Sequence, residues 1–244
     1  MNSMTLRIIM LFSVLPLAAQ AEVFSIKEIT YAEIEEFVSG VIDFEDNSFD
    51  LKNGLPPFAV VTFGERFSGQ TLKHKQDFLL DWHNVLDDET PDSPVIAVPA
   101  THGPVIQADD HWGSMALFPI GPSIGPYPDR DLGRGTLAMS FDPPICFFAF
   151  RTAIDGMTRY RNVNETALRD KPQSTLNIRF YDEEGRELAS FIRSRNAEGP
   201  IELGFMQSGQ AEAQIAGVFL QGLDLWGFSI DDIRFDPSCP LKLF

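Results

Sequence analysis

Histidine, cysteine and basic residues are all scarce in this 244-residue chain, and each shortage removes a class of chemistry. The four histidines, His74, His83, His102 and His111, show no i, i+2 or i, i+4 spacing, so no local zinc motif is present. Asp109-Asp110-His111 reads as a polar loop rather than a metal centre with three or four convergent ligands. With 19 Lys and Arg against 35 Asp and Glu, the formal charge is −16, which repels nucleic acid and anionic membranes. No glycine-rich phosphate loop precedes a helical pattern. Strand–helix–strand alternation is missing, which argues against a parallel α/β fold, and no internal repeat suggests a propeller or solenoid.

The longest apolar run is at the amino terminus. Arg7, the run Ile8 to Ala18 and Ala19-Gln20-Ala21 have the form of a secretory signal with an A-x-A cleavage site. The run is too short to span a bilayer, so the expectation is a signal peptide over residues 1–21 and no membrane span after its removal. A periplasmic or secreted protein follows. In such a compartment Cys146 and Cys239 are expected to form a disulfide, with two buried free thiols as the alternative.

Residues 22–40 carry the only helical pattern of any strength. Ser25 to Glu28 and Thr30 to Glu33 both match the S/T-x-x-E capping box, and Ile34, Phe37 and Val38 recur at helical spacing before Gly40. This predicts a helix near Tyr31–Ser39. From 41 to 244 the pattern is β. Cys146 to Phe150 is apolar almost throughout, as in a central strand covered on both faces, and Asp182-Glu-Glu-Gly185 reads as the turn of a hairpin between Thr175–Tyr181 and Glu187–Arg193. Residues 71–94 read as an irregular excursion with a turn of helix at Gln76–Trp82. The expected fold is all-β: a jelly-roll β-sandwich of about ten strands with a short N-terminal helix, its core supplied by 21 phenylalanines.

Phe228 to Phe235 carries an anomaly of parity. Phe228 and Ile230 fall on one face of an extended strand, Ile233 and Phe235 on the other, so one extra residue is required between them. The bulge is expected at Asp231-Asp232. If the first and last strands of the sandwich are neighbours, Asp43 and Glu45 approach this pair, and the four oxygen-bearing side chains suit calcium. Local capping by Asp231 or Asp232, or pairing with Arg234, is the alternative. Trp82, Trp112 and Tyr127 lie in or beside polar or Pro/Gly-rich stretches, where a ring can present its face to a sugar or close over the core.

Two other motifs are set aside. Gly121-Pro-Ser-Ile-Gly125 matches G-x-S-x-G, but Pro126 and Pro128 exclude the helix that a nucleophile elbow requires. Pairs of acids are too numerous among 35 for any one to indicate glycoside hydrolysis.

Val41-Ile-Asp-Phe-Glu45, Glu65-Arg-Phe-Ser-Gly-Gln-Thr71 and Gly227-Phe-Ser-Ile-Asp-Asp-Ile-Arg-Phe235 resemble secreted bacterial β-sandwich proteins associated with PEP-CTERM sorting. The resemblance implies a galactose-binding-like or concanavalin-like jelly roll with calcium and carbohydrate binding. It departs at Pro237 to Phe244, where the sorting tail of that group does not follow. The function expected is a non-catalytic binding module for a glycan or extracellular polymer with structural calcium. A polysaccharide-active glycosidase or lyase, and an envelope or matrix protein-interaction domain, are the alternatives.

Overall fold

The computed structural model describes residues 24–35, 38, 40–45, 60–76, 82–97, 104–109, 113–122, 132–154, 175–194, 200–209, 212–222 and 227–239. The expected signal segment, Trp112, Tyr127, Ser123, His102 and His111 lie outside them.

Two antiparallel sheets form the sandwich. The first runs β1 (Ser25–Ile29), β12 (Ile201–Ser208), β9 (Phe147–Ala153), β14 (Ser229–Asp236), β7 (Ser114–Phe118), β6 (Val105–Asp109), with β2 (Gly40–Ile42) also pairing β14. The second runs β11 (Glu187–Ser194), β10 (Thr175–Tyr181), β13 (Ile215–Gly222), β8 (Thr136–Ile145), β3 (Val61–Gly64). A separate hairpin joins β4 (Thr71–Gln76) to β5 (Trp82–Asp88). From β8 onward the chain passes repeatedly between sheets, so that sequence neighbours face each other across the core. Phe148 of β9, Phe180 of β10 and Phe205 of β12 meet there, with ring centroids 6.1 Å apart for Phe148–Phe180 and 5.0 Å for Phe180–Phe205. Each ring buries a large apolar area, and tilted or edge-on pairs add a little more.

The apolar run at Cys146–Phe150 has the two-sided environment its composition implies. Phe148 and Phe150 enter the core, while Phe147 and Ala149 lie on the outer face beneath the helix α1 (Tyr31–Glu35) with Tyr31, Ile34 and Met206. The capping box forms as read. Glu33 N–H donates to Thr30 Oγ1 at 3.2 Å, and Thr30 N–H donates to Glu33 Oε2 at 2.7 Å. The earlier candidate box at Ser25 does not cap a helix, because Ser25–Ile29 pairs with β12 as a strand.

Fourteen strands are described, not about ten. Residues 71–94 contain the β4–β5 pair where an irregular excursion was expected; the helical turn expected at Gln76–Trp82 falls on residues 77–81, which lie outside the described residues. Thr71–Gln76 is polar and mostly exposed, so it lacks the apolar alternation that marks a half-buried strand. The pair's apolar contacts come from Leu72 and Leu86, which cluster with Phe67, Ala138, Tyr181 and Phe219, and Asn84 N–H donates to Arg134 O at 3.0 Å.

Cys146 and Cys239 are joined by a disulfide that closes a separation of 93 residues, with Cα atoms 5.3 Å apart. It holds the chain just after β14 to the start of β9. Near the other end of β14, Gly227 has φ +69°, and a Cβ there would sit 2.3 Å from Gly133 O. Phe228 N–H donates to that same carbonyl at 2.9 Å.

Two outcomes are expected. Titration of the denatured, unreduced protein finds no free thiol, and Cys239→Ala lowers stability by up to about 4–5 kcal/mol in chemical denaturation, the chain-entropy limit for a loop of this length. Gly227→Ala costs at least about 2 kcal/mol by the same measurement, because it adds left-handed strain to a backbone collision.

Candidate functional site

The bulge in β14 is where its parity placed it. Ser229, Ile230 and Asp231 stand opposite Ala153, Thr152 and Arg151 of β9, and pairing resumes with Arg234 opposite Ala149. One residue more is used on β14 than on β9, so Phe228, Ile230, Ile233 and Phe235 all reach the same core. Asp232 takes up the slack at φ +47°, a region that Asp tolerates better than most residues.

The bulge also marks a change of neighbour. Above it Ile230 pairs with Leu117 of β7; below it Ile233 pairs with Ile42 of β2. First and last parts of the sandwich are therefore adjacent, as the acid cluster required, but the four carboxylates divide their work. Met115 N–H, near the interruption of the β7 ladder, donates to Glu45 Oε1 at 2.8 Å. Asp231 Oδ2 accepts from Ser114 Oγ at 3.0 Å, and its Oδ1 accepts Asp232 N–H at 2.8 Å. Asp43 Oδ1 accepts Glu45 N–H at 3.3 Å. Asp232 turns to Arg151, which also pairs with Glu202 at 3.0 Å. Among the described residues no group of three or more His, Cys, Asp or Glu is arranged to hold a metal ion. Within the cluster the Asp232 and Glu45 carboxylates both act on the charge of Asp231.

Arg151 and Arg234 flank Tyr31 of α1, their guanidinium carbons 5.2 and 5.1 Å from its ring centroid. Tyr31 Oη donates to Asp232 O at 3.0 Å and accepts from Arg234 Nε at 2.6 Å. The helix is thus tied to the bulge by a polar network whose named groups are paired. Of the candidate sugar-binding aromatics, Trp82 is described: it is half-buried at the start of β5.

The outer face of the second sheet carries groups that the sequence did not single out. Ile178 and Phe180 of β10 enter the core, so Asn177 and Arg179 point to the outer face. Asn177 pairs in register with Gln221 of β13 on one side and Ile192 of β11 on the other; Gln221 pairs with Thr136 of β8. Asn177, Gln221 and Thr136 are buried, yet Asn177 Oδ1 has no hydrogen-bond partner. Neither has Arg179 Nε, although Arg179 Nη1 donates to Glu89 at 2.7 Å and lies 3.6 Å from Glu187. In β5, next to Trp82, His83 is 4% exposed with both ring nitrogens unpartnered. Its neighbour Asn84 is engaged on both sides of its amide: Oδ1 accepts from His74 Nδ1–H at 2.9 Å and Nδ2 donates to Glu65 Oε1 at 3.0 Å. Asn177 and Arg179 resemble the solvent face of a hairpin in sequence, and only the burial around them makes their unpaired atoms unusual.

Two buried groups titrate in opposite senses over one pH window. Burial, then the charges of Lys75 and Arg134, hold the His83 imidazole down at about 4. Burial pushes the Asp231 carboxyl up to about 6; Asp232 and Glu45 add to this, while the Asp232 N–H and the Ser114 hydroxyl oppose it. His83 therefore weakens the fold as pH falls below its unfolded value of 6.5, because the unfolded chain takes up the proton first. Asp231 contributes stability below 3.8 and loses it as pH rises through about 6. Relative to wild type, His83→Leu should gain up to about 3 kcal/mol as pH falls from 7 to 4, and Asp231→Asn should gain a similar amount as pH rises over that range. Denaturation midpoints of both variants across pH 4–7 check this; parallel curves contradict it.

No family model and no curated protein matches the chain. Among solved structures it is similar to the xylan-binding domain from CBM 22, at 11% identity over 62% of this chain and 95% of that one, with a TM-score of 0.32. The CBM22-1 xylan-binding domain from Paenibacillus barcinonensis matches at 9% identity, covering 77% of this chain and 99% of that one, TM-score 0.32. The enzymatically active domain of bacteriophage CBA120 tailspike protein 4 matches at 10% identity over 72% of this chain and 19% of that one, TM-score 0.27. Likenesses this distant carry no argument about what this chain binds or does.

Proposed function

We propose that the chain is a secreted, non-catalytic binding module whose ligand is a glycan or another extracellular polymer. The observation that carries the reading is the outer face of the second sheet, where Asn177 and Arg179 hold hydrogen-bonding atoms with no protein partner. Such atoms cost stability when left dry, and a ligand rich in hydroxyls supplies what they lack. The nearby acids Glu89 and Glu187 are both drawn to Arg179, which suits recognition better than proton transfer. The disulfide suits an oxidising compartment, and no helix among the described residues is long and apolar enough to cross a membrane.

Calcium belongs to the same proposal, at Glu45 and Asp231, with Asp43 beside them. Burial and like charge raise the Asp231 carboxyl, and a cation there would relieve both effects. Asp232 is committed to Arg151 and is the weakest of the four as a ligand.

Retention on insoluble or gel-embedded polysaccharide without release of reducing ends is the expected result for the binding module. Reducing-end release abolished by a single carboxylate-to-amide change would establish an enzyme instead, and cross-linking to an envelope protein with no glycan retention would establish a protein-interaction domain. For calcium, chelator should lower the melting temperature by a few degrees in wild type and not in Asp231→Ala/Asp232→Ala. Identical melting of the wild type with and without chelator overturns the ion.

A further inference from the structure

β4 and β5 form a two-stranded sheet of their own, outside both large sheets. An isolated pair of strands has little stability in water, so this one depends on what it rests against. Leu72 and Leu86 lie with Ala138 of β8, Tyr181 of β10 and Phe219 of β13, which belong to the second sheet. Asn84 bonds to Arg134 O through its N–H and to Glu65 through its side chain. Just past β5, Glu89 is held by Arg179 at 2.7 Å, and its carbonyl accepts from Tyr181 Oη at 3.3 Å. The outward strand β4 is mostly exposed, and Lys73 and Asp87 pair across the two strands at 2.8 Å in solvent.

His83 sits within this attachment. Successive side chains of a strand face opposite ways, so Asn84 reaches Glu65 and His74 on one side while His83 is buried on the other. Lys75 stands opposite His83 in the β4–β5 register, and Arg134 is buried in the segment that meets β5. These two charges act on the imidazole, and both are positive. A proton on the ring would add a third cation where neither ring nitrogen has a hydrogen-bond partner and water does not reach. Once the pair lifts, the ring is hydrated and takes up the proton without that cost. Closure and protonation therefore compete.

We propose that the β4–β5 pair is an acid-released cover: protonation of His83 lifts it from the second sheet, uncovering Tyr181 and Phe219 and freeing Arg179 from Glu89. The sign and the window follow from linkage. With His83 at about 4 when closed and 6.5 when open, the opening equilibrium rises about twentyfold from pH 7 to pH 5 and levels off below 4. Glu89 acts in a separate window, because its hydrogen bond from Arg179 holds the carboxyl below the usual 4.5 and that tie weakens only under more acid conditions. Asp231, in the first sheet, works in the opposite sense and favours the folded chain as pH falls.

Native-state amide hydrogen exchange on the full chain at pH 7 and pH 5, corrected for intrinsic exchange, tests the cover. The expected result is a fall of about twentyfold in protection across Thr71–Gln76 and Trp82–Asp88, with no such fall in β8 and β13. His83→Leu and His83→Gln, neutral at both pH values, should abolish the fall, and His74→Gln should keep it. The ring resonances of His83 in wild type, followed in parallel, supply a measurement that needs no variant: the closed form should stay neutral at pH 5. Equal protection at both pH values in wild type overturns the proposal. So does a fall that persists in a folded His83 variant, a fall lost in His74→Gln, or one shared equally by β8 and β13. A His83 ring that gains its proton between pH 7 and 5 with the strands still protected overturns it as well.

Discussion

The fold depends on one inserted residue. Without the bulge at Asp231-Asp232, β14 could bury Phe228 and Ile230 or Ile233 and Phe235, but not both pairs, because side chains alternate strictly along a strand. The insertion gives the first sheet a central strand that is apolar toward the core along its whole length. It also interrupts the ladder on the far side, which is where β7 yields to β2 as the neighbour of β14. The acids around that interruption then have work to do. Glu45 accepts the Met115 N–H, Asp231 the Asp232 N–H, and the Asp232 carbonyl receives Tyr31. An acidic cluster at such a place is in large part the means of repairing a broken ladder.

Both sheets are covered on their outer faces, and the two covers differ in chemistry. On the first sheet, α1 lays Tyr31 and Ile34 over Phe147 and Ala149, and Arg151, Arg234, Asp232 and Glu202 complete one another around the ring. On the second sheet, the region of the β4–β5 hairpin contributes Phe67, Leu72 and Leu86 over Ala138, Tyr181 and Phe219. Beyond that apolar contact Asn177, Arg179 and, in β5, His83 keep polar atoms with no hydrogen-bond partner among the described residues. Among the described residues, similar architecture on both sides thus leaves the named polar groups of one face paired and the other face with unpaired atoms.

How far the sequence discloses this follows from what each feature depends on. The bulge was legible because it is a matter of parity within eight residues. The adjacency of Asp43–Glu45 to Asp231–Asp232 was legible once a closing strand was assumed, but their division into separate roles was not, since it rests on Arg151 and Ser114 from distant strands. Thr30 and Ser25 both match the capping-box pattern, and the helix expected after Thr30 forms there, whereas Ser25 is drawn into a strand by pairing with β12. The β4–β5 pair was missed because β4 is polar on both faces and shows no apolar alternation. For Asn177 and Arg179 the sequence shows only polar positions on one side of a hairpin strand, indistinguishable from a solvated face.

That last ambiguity bears most on function. A polar side chain at a solvated face is satisfied by water, and its identity matters little to folding. At a covered face the same side chain, unpaired, costs about 1–3 kcal/mol, so its place there needs a cause. Core positions nearby show that the sheet accepts apolar residues readily: Tyr181 and Phe219 occupy the same outer face one step along. Leucine at 177 would therefore meet the demands of burial better than asparagine does. Stability alone does not account for an unpaired carboxamide oxygen and an unpaired guanidinium Nε on neighbouring positions of one face, and that is what supports reading this face as one that binds.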